Sequence, residues 1–228
     1  MYIIGTPIGN LGDISFRAVE ILKTVDLVAC EDTRRTLKLL SHLGLRIPLL
    51  SCRAQNEGFA AEKVIASLKE GKNVAYASDA GTPGISDPGA VLTRLAAEAG
   101  YEVIPIPGPS AFASLVSVAG GMDKTVVFEG FLSPKAGRRR SRLKELLAME
   151  TAFVLYESPF RVLKLLEDLA DLDNERYICV GREMTKVHEE YLRGSVTEIL
   201  LILQEKNKQI GEFSVYVSGK KTNNRVNY

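Results

Sequence analysis

Several stretches of the chain concentrate residues able to do chemistry. SDAGTPGISDPG, Ser78 to Gly89, sets three glycines, two prolines and two aspartates directly after the apolar run NVAYA. Glycine lets main-chain amides and carbonyls approach a ligand closely, and proline holds a loop open without using an N–H. GTPIGNLGD (Gly5–Asp13) and PGPSA (Pro107–Ala111) have the same character. One such loop alone reads equally well as turns and caps, with Asp87 before Pro88 starting a helix. Three at strand ends point to a shared pocket.

What is missing narrows the ligand. The first loop is G-x3-G-x2-G and is interrupted by Pro7, so the dinucleotide fingerprint fails. GKKT near the carboxyl terminus lacks the upstream glycine of a P-loop. Loops rich in backbone groups and poor in basic residues suit a neutral or cationic ligand. Two polar runs, EDTRR (Glu31–Arg35) and GREMTKVHEE (Gly181–Glu190), bring carboxylates and cations to strand ends. KAGRRRSRLK, Lys135–Lys144, holds six basic residues; it reads as a solvated helix or as a grip on nucleic-acid phosphates. His42, in LLSHLG near a helix end, and His188, among charges, read as solvated, and no metal-ligand spacing is present.

Composition is that of a soluble globular protein, with 46% hydrophobic and 25% charged residues over 228 positions. A net charge of +1 excludes a uniformly basic nucleic-acid coat while allowing a local patch. Cys30, Cys52 and Cys179 lie in or beside apolar runs and read as reduced core residues of a cytoplasmic protein. Residues 103–122 are uncharged, but Pro105, Pro107 and Pro109 argue for a strand, a turn and a buried helix rather than a membrane span. No signal-peptide pattern opens the sequence.

The elements that position these residues alternate. YIIGTP, DLVACED, IPLLSC, NVAYAS and EVIPIPG read as strands, each followed by a helical pattern, which implies a parallel sheet covered on both faces. In EGFAAEKVIASLKEG, Ala60, Val64, Ile65 and Leu68 share one helical face. After Gly120-Gly121, closely spaced strands (TVVFEGF, TAFVLYES, ERYICVGRE, EEYLRG, GEFSVYVSG) suggest a mixed sheet. The fold class expected is α/β, with domains at 1–116 and 117–228. The helix VTEILLILQEKN is expected before the last strand, and the tail KKTNNRVNY is expected to fray.

Taken together and in this order, TPIGNLGDI, EDTRRT, SDAGTPGISDPG, PGPSA, FEGFL, YESPFR and GREMTK resemble the ribosomal RNA small-subunit methyltransferase I family, within the tetrapyrrole methylases. The resemblance runs from Met1 to about Gly219. It implies two α/β domains with S-adenosylmethionine in the cleft between them, a homodimer, and 2′-O-methylation of a cytidine ribose in small-subunit rRNA. By motif, it implies a cofactor site at Pro7, Gly9, Asp79, Gly81, Gly84, Ile85, Ser110 and Ala111, with Tyr156 and Glu157 from the second domain. Two departures fall on the substrate side. Cys52-Arg53-Ala54-Gln55 stands where the family has a His-acid-His run, and Phe160 replaces the histidine of YESPHR.

A ribose hydroxyl is a weak acid, so methyl transfer to it benefits from a base and a cation. Asp32 or Glu183 is the expected base and Lys186 the oxyanion partner; a surface salt bridge is the plain alternative for each. Arg34, Arg35, Arg138, Arg139, Arg140 and Arg142 are the expected RNA contacts. Two rival readings share parts of this pattern: a tetrapyrrole ring methylase, and a non-catalytic RNA-binding assembly factor.

Overall fold

Strands buried on both faces need helices above and below, and the first half of the chain supplies them. The computed structural model describes residues 1–205 and 210–219. Its first unit, Met1–Ser110, holds β1 (Tyr2–Ile4), β2 (Leu27–Cys30), β3 (Leu49–Ser51), β4 (Val74–Ala77) and β5 (Ile104–Ile106). They pair in the order β3-β2-β4-β1-β5, every neighbour parallel. Between them run α1 (Phe16–Leu22), α2 (Thr33–His42), α3 (Glu57–Lys69) and α4 (Ala90–Glu98).

The period-two alternation of β4 divides its side chains between two cores. Val74 and Tyr76 pack with Ala60, Val64 and Leu92 of α3 and α4, while Ala75 and Ala77 pack with Ala18, Leu22 and Leu40 of α1 and α2. Because all five strands run the same way, all their carboxyl ends lie along one edge. This is the edge at which open α/β sheets bind ligands.

The second unit, Ala111–Tyr228, begins with α5 (Ala111–Ala119). It continues with β6 (Val126–Phe131), α6 (Ala136–Ala148), β7 (Ala152–Glu157), α7 (Val162–Asp173) and β8 (Tyr177–Arg182). β9 (Glu190–Ser195), α8 (Val196–Glu205) and β10 (Phe213–Val217) complete it. Its sheet, β6-β7-β10-β8-β9, is mixed: β6 and β7 are parallel and the other pairs antiparallel. The fold class expected from the sequence is therefore the one found.

The units divide at Ser110/Ala111 rather than after residue 116, because α5 packs on the second sheet. Leu115 and Ala119 are fully buried with Val154, Cys179 and Tyr216. The end of the expected helix after Glu205 and the tail after Gly219 lie outside the described residues. Among those described, no helix is long and apolar enough to cross a membrane.

Helices α6 and α7 are joined by a buried ion pair, Arg139 Nε to Asp168 Oδ2 at 2.7 Å. Removing one member of such a pair leaves the other charged and desolvated. Arg139→Gln should cost about 3 kcal/mol in urea unfolding, the midpoint falling without a change in slope. All three cysteines are buried, and desolvation pushes the Cys52 thiol up to about 11. A thiol-directed alkylating agent at pH 8 should modify none of them in the folded protein and all of them in urea.

Candidate active site

The rim of the first unit is built by main-chain contacts between loops. Thr6, two residues beyond β1, and Gly81 in the β4–α4 loop exchange backbone hydrogen bonds of 2.9 and 3.0 Å, an isolated antiparallel bridge. The Thr6 hydroxyl, buried, donates to the Ser78 carbonyl at 3.2 Å. On the other side the Gly5 amide donates to the Ile106 carbonyl at 3.0 Å. A Cβ on Gly5 would stand 2.8 Å from Gly108 Cα, so these loops touch backbone to backbone and only glycine fits. Thr82 Oγ1 donates to the Pro109 carbonyl at 3.2 Å. The three glycine- and proline-rich loops of the sequence are thus one assembly.

The far end of Ser78–Gly89 is held from below. Tyr76, fully buried, donates its hydroxyl to the Pro88 carbonyl at 2.7 Å, and its ring occupies the space where a Cβ on Gly89 would lie. Asp87 does not start α4. Gly89 takes the cap position, and the acceptor is the buried Glu57 of α3, whose Oε1 receives the amides of Gly89 and Val91 at 2.9 Å and of Leu92 at 3.1 Å. A carboxylate at a helix N-terminus satisfies free amides and meets the positive end of the helix dipole. Between these anchors the loop faces outward. Gly84 has φ +79°, a Cβ placed on it would meet no atom within 4 Å, and Ile85 is exposed. Beside it a cavity of about 720 Å³ is lined by Thr82, Pro83, Gly84, Pro107 and Gly108 together with α4.

The carboxylates of the rim divide by environment. Asp79 ties two loops: Oδ1 accepts from the Asp32 amide at 2.9 Å and Oδ2 lies 3.5 Å from Arg35 Nε. Asp32 is the N-cap of α2, accepting from the Arg34 amide at 2.9 Å, and it pairs with the Arg34 guanidinium at 2.6 Å. Those side-chain and backbone bonds hold its carboxyl well below the usual range, which makes it a poor proton acceptor. Glu31 and Asp87 move the other way, raised by burial and then by the charge of Asp79. Sequence reasoning places Glu31 in the EDTRR run and Asp87 at a helix start, and makes neither a site residue. Within that run the first carboxylate, Glu31 directly after the apolar strand, is the one closest to the sheet edge and so the one most subject to burial.

In the first unit, Pro7 and Gly9 follow the bridge residue Thr6 on the β1 loop, and Ser110 ends the β5 loop. Ala111, Tyr156 and Glu157 belong to the second unit. There Tyr156 packs edge-on against Phe128 at 4.9 Å and Phe131 at 5.8 Å. Glu157 is buried and pairs with Arg161 at 2.7 Å. Glu183 follows β8 in the left-handed region, φ +49°. Its Oε1 accepts from Lys186 Nζ at 2.8 Å and from the Glu212 amide at 2.9 Å. Lys186 also reaches Glu212 Oε2 at 3.0 Å. Burial opposes both charges, yet the mutual bonds prevail: Glu183 sits below the ordinary carboxylate range and Lys186 above the ordinary amine range.

Three of the four arginines in the cluster are paired with carboxylates. Arg139 is buried on Asp168, so it is not a surface contact for RNA. Arg140 bridges Asp168 at 3.1 Å and Asp171 at 2.8 Å, and Arg142 meets Glu129 at 2.7 Å and Glu145 at 2.8 Å. Lys135, Arg138 and Lys144 are exposed, as are Arg34 and Arg35 on α2. A solvated face, the plainer expectation from the sequence, describes only part of α6; the rest is an ion-pair lattice.

Glu57→Ala leaves three amides without their acceptor and should cost about 2–3 kcal/mol in urea unfolding, with Glu57→Gln intermediate. Asp87 has a folded-state pKa above its ordinary value, so its charge costs stability as pH rises through that range. Asp87→Asn should therefore melt higher than the parent at pH 7 in ligand-free protein, and the gap should close as pH falls below the ordinary carboxylate range.

Comparison with known proteins matches residues 1–200 to the family described as tetrapyrrole (corrin/porphyrin) methylases. A ribosomal RNA small subunit methyltransferase I from Borrelia garinii subsp. bavariensis is 45% identical over 219 residues, 96% of this chain and 98% of that protein. The protein of that name from Thermotoga maritima is 45% identical over 220 residues, again 96% and 98%. The one from Escherichia coli O157:H7 is 44% identical over 223 residues, 97% of this chain and 78% of that protein. Among solved structures, a cobalt precorrin-4 methyltransferase of cobalamin biosynthesis shares the fold, with TM-score 0.66 at 16% identity over 95% of this chain and 93% of that one. The chain belongs to the ribosomal RNA small subunit methyltransferase I family of the tetrapyrrole methylases.

Proposed function

We propose that this protein is a homodimeric, S-adenosylmethionine-dependent enzyme that methylates the 2′-hydroxyl of a cytidine ribose in small-subunit ribosomal RNA. The observation that carries the reading is the rim of the first unit. Three backbone-rich loops are clamped into one assembly, with Asp79, Glu31 and Asp87 supplying negative charge. Carbonyls and carboxylates suit a sulfonium cation as an amide-lined phosphate nest would not. The open space over Gly84 and the cavity beside it fit a nucleoside-sized group. Pro7, Gly9, Gly81, Gly84, Ile85 and Ser110 would hold the cofactor through main-chain groups, with Asp79 fixing the loop that presents them. The near full-length likeness to proteins named for ribosomal RNA supports the substrate.

Bound there, the cofactor would supply an electrophilic methyl group. The chain's own contribution is positioning and charge control at the attacking oxygen. Glu183, also held below the ordinary range but less strongly than Asp32, is the better suited of the two to take the hydroxyl proton. Both oxygens of Asp32 are already engaged by Arg34, whereas both contacts of Glu183 fall on Oε1. Lys186, kept protonated by its two carboxylate neighbours, stabilises the oxygen as the proton leaves. Lys135, Arg138 and Lys144 are exposed cations that would meet phosphates, as would Arg34 and Arg35 in exchange for their pairs with Asp32 and Asp79.

The direct test is transfer of tritium from methyl-labelled S-adenosylmethionine into small ribosomal subunits that lack the modification, followed by digestion and identification of 2′-O-methylcytidine. Label in a precorrin and none in RNA would replace this reading with the tetrapyrrole one. RNA binding without cofactor binding in calorimetry would leave an assembly factor. In single-turnover assays Lys186→Ala should slow methyl transfer about 100-fold with cofactor affinity preserved. Glu183→Gln should be slower than Asp32→Asn, and Gly84→Val should lose cofactor binding while remaining folded.

A further inference from the structure

Phe160 is 89% exposed, yet the residues on either side of it are hydrogen-bonded to one another. Buried Glu157 Oε1 accepts from the Ser158 amide at 2.7 Å and pairs with Arg161 at 2.7 Å. Arg161 Nε donates to Ser158 Oγ at 3.2 Å, and the Ser158 carbonyl receives the amides of Arg161 and Val162 at 3.1 Å. The turn between β7 and α7 is therefore fixed on both sides of Phe160, and the ring projects from it. A bare aromatic ring on a fixed turn is a contact surface, because leaving it in water forfeits the free energy of burying it.

Its neighbours along the sheet narrow the partner. β7 and β8 both run antiparallel to β10, so they run the same way as each other and as β6. Phe131 at the end of β6, Phe160 after β7, and Glu183, Lys186 and Val187 after β8 thus lie along one edge. Phe131 is 56% exposed and Val187 96%. This edge mixes apolar surface with two partly exposed cations, Arg161 paired with Glu157 and Lys186 paired with Glu183 and Glu212, and includes the groups proposed above to act on the ribose hydroxyl. Aromatic faces flanked by cations are how proteins hold unpaired nucleotides: the ring stacks on a base and the cations meet the backbone.

We propose that Phe160 is a positioning residue that stacks on an unpaired nucleobase of the RNA, at or beside the nucleotide being methylated. This rests on the RNA-methylating reading above. The chain contains no tryptophan, so Phe160→Trp places a single tryptophan at the site, excited selectively beyond the tyrosine absorption band. Titration with a cytidine-rich single-stranded RNA should quench its emission along the same curve as the anisotropy of a labelled copy of that RNA. Phe16→Trp, at a side chain 94% exposed in the first unit, should keep its emission. Phe160→Ala should raise KM for small subunits about tenfold with kcat within twofold, and Phe160→Tyr should restore it. Flat Phe160→Trp emission while anisotropy saturates would overturn the proposal and leave the RNA reading standing. Dissociation of a dimer by Phe160→Ala, seen in sedimentation, would overturn it in favour of a second copy of the chain. Absence of tritium transfer from the cofactor into small subunits with the parent protein would remove the RNA reading and this one together.

Discussion

Parallel pairing is the constraint on which the first unit depends. Each parallel strand must be reached by a crossover, so the connections that leave carboxyl ends never return to the opposite edge until a helix has passed. The glycine- and proline-rich loops then have no choice of side. The order β3-β2-β4-β1-β5 brings the loops after β4, β1 and β5 next to one another, where the Thr6–Gly81 bridge and the Gly5–Gly108 contact weld them. The sheet supplies adjacency; the glycines allow the backbones to close the remaining distance.

Charge is likewise used for construction. Six basic residues on and beside α6 suggest a surface made for polyanions, but half of the run holds structure together through carboxylate partners. An arginine has a long stem and a planar, weakly hydrated head, and it can be buried against a carboxylate where a lysine would be desolvated at greater cost. The cations left outward belong to both ends of that run and to the start of α2. Any electrostatic attraction for a nucleic acid is accordingly more dispersed than the linear run implies.

Much of this is legible in the sequence. Strand–helix alternation carries the fold class, and the three loops announce the rim, because their composition is unfavourable anywhere else. What escapes depends on contacts between residues remote along the chain. Glu57 and the Gly89 amide are 32 positions apart, and Arg139 and Asp168 are 29 apart. A hint exists in the second case, since Asp168 lies between Leu166 and Leu169 on the apolar face of α7, where a carboxylate requires a partner. The boundary between the units is misplaced by a sequence reading because PSAFASLVSVAG continues the repeat of the first half. Only the packing of Leu115 and Ala119 on β8 and β10 assigns α5 to the second unit.

The cap that Glu57 places on α4 has a further consequence. The amides it satisfies belong to one helix and the carboxylate to another, so fraying of the first turn of α3 releases the start of α4 and the end of the loop at Gly89. These segments are coupled into one opening, and their amide protons should report a common opening free energy in hydrogen exchange. A ligand seated on the loop would slow exchange in α3, a helix it need never touch. Its affinity would carry the temperature dependence of that helix's stability as well as of its own contacts.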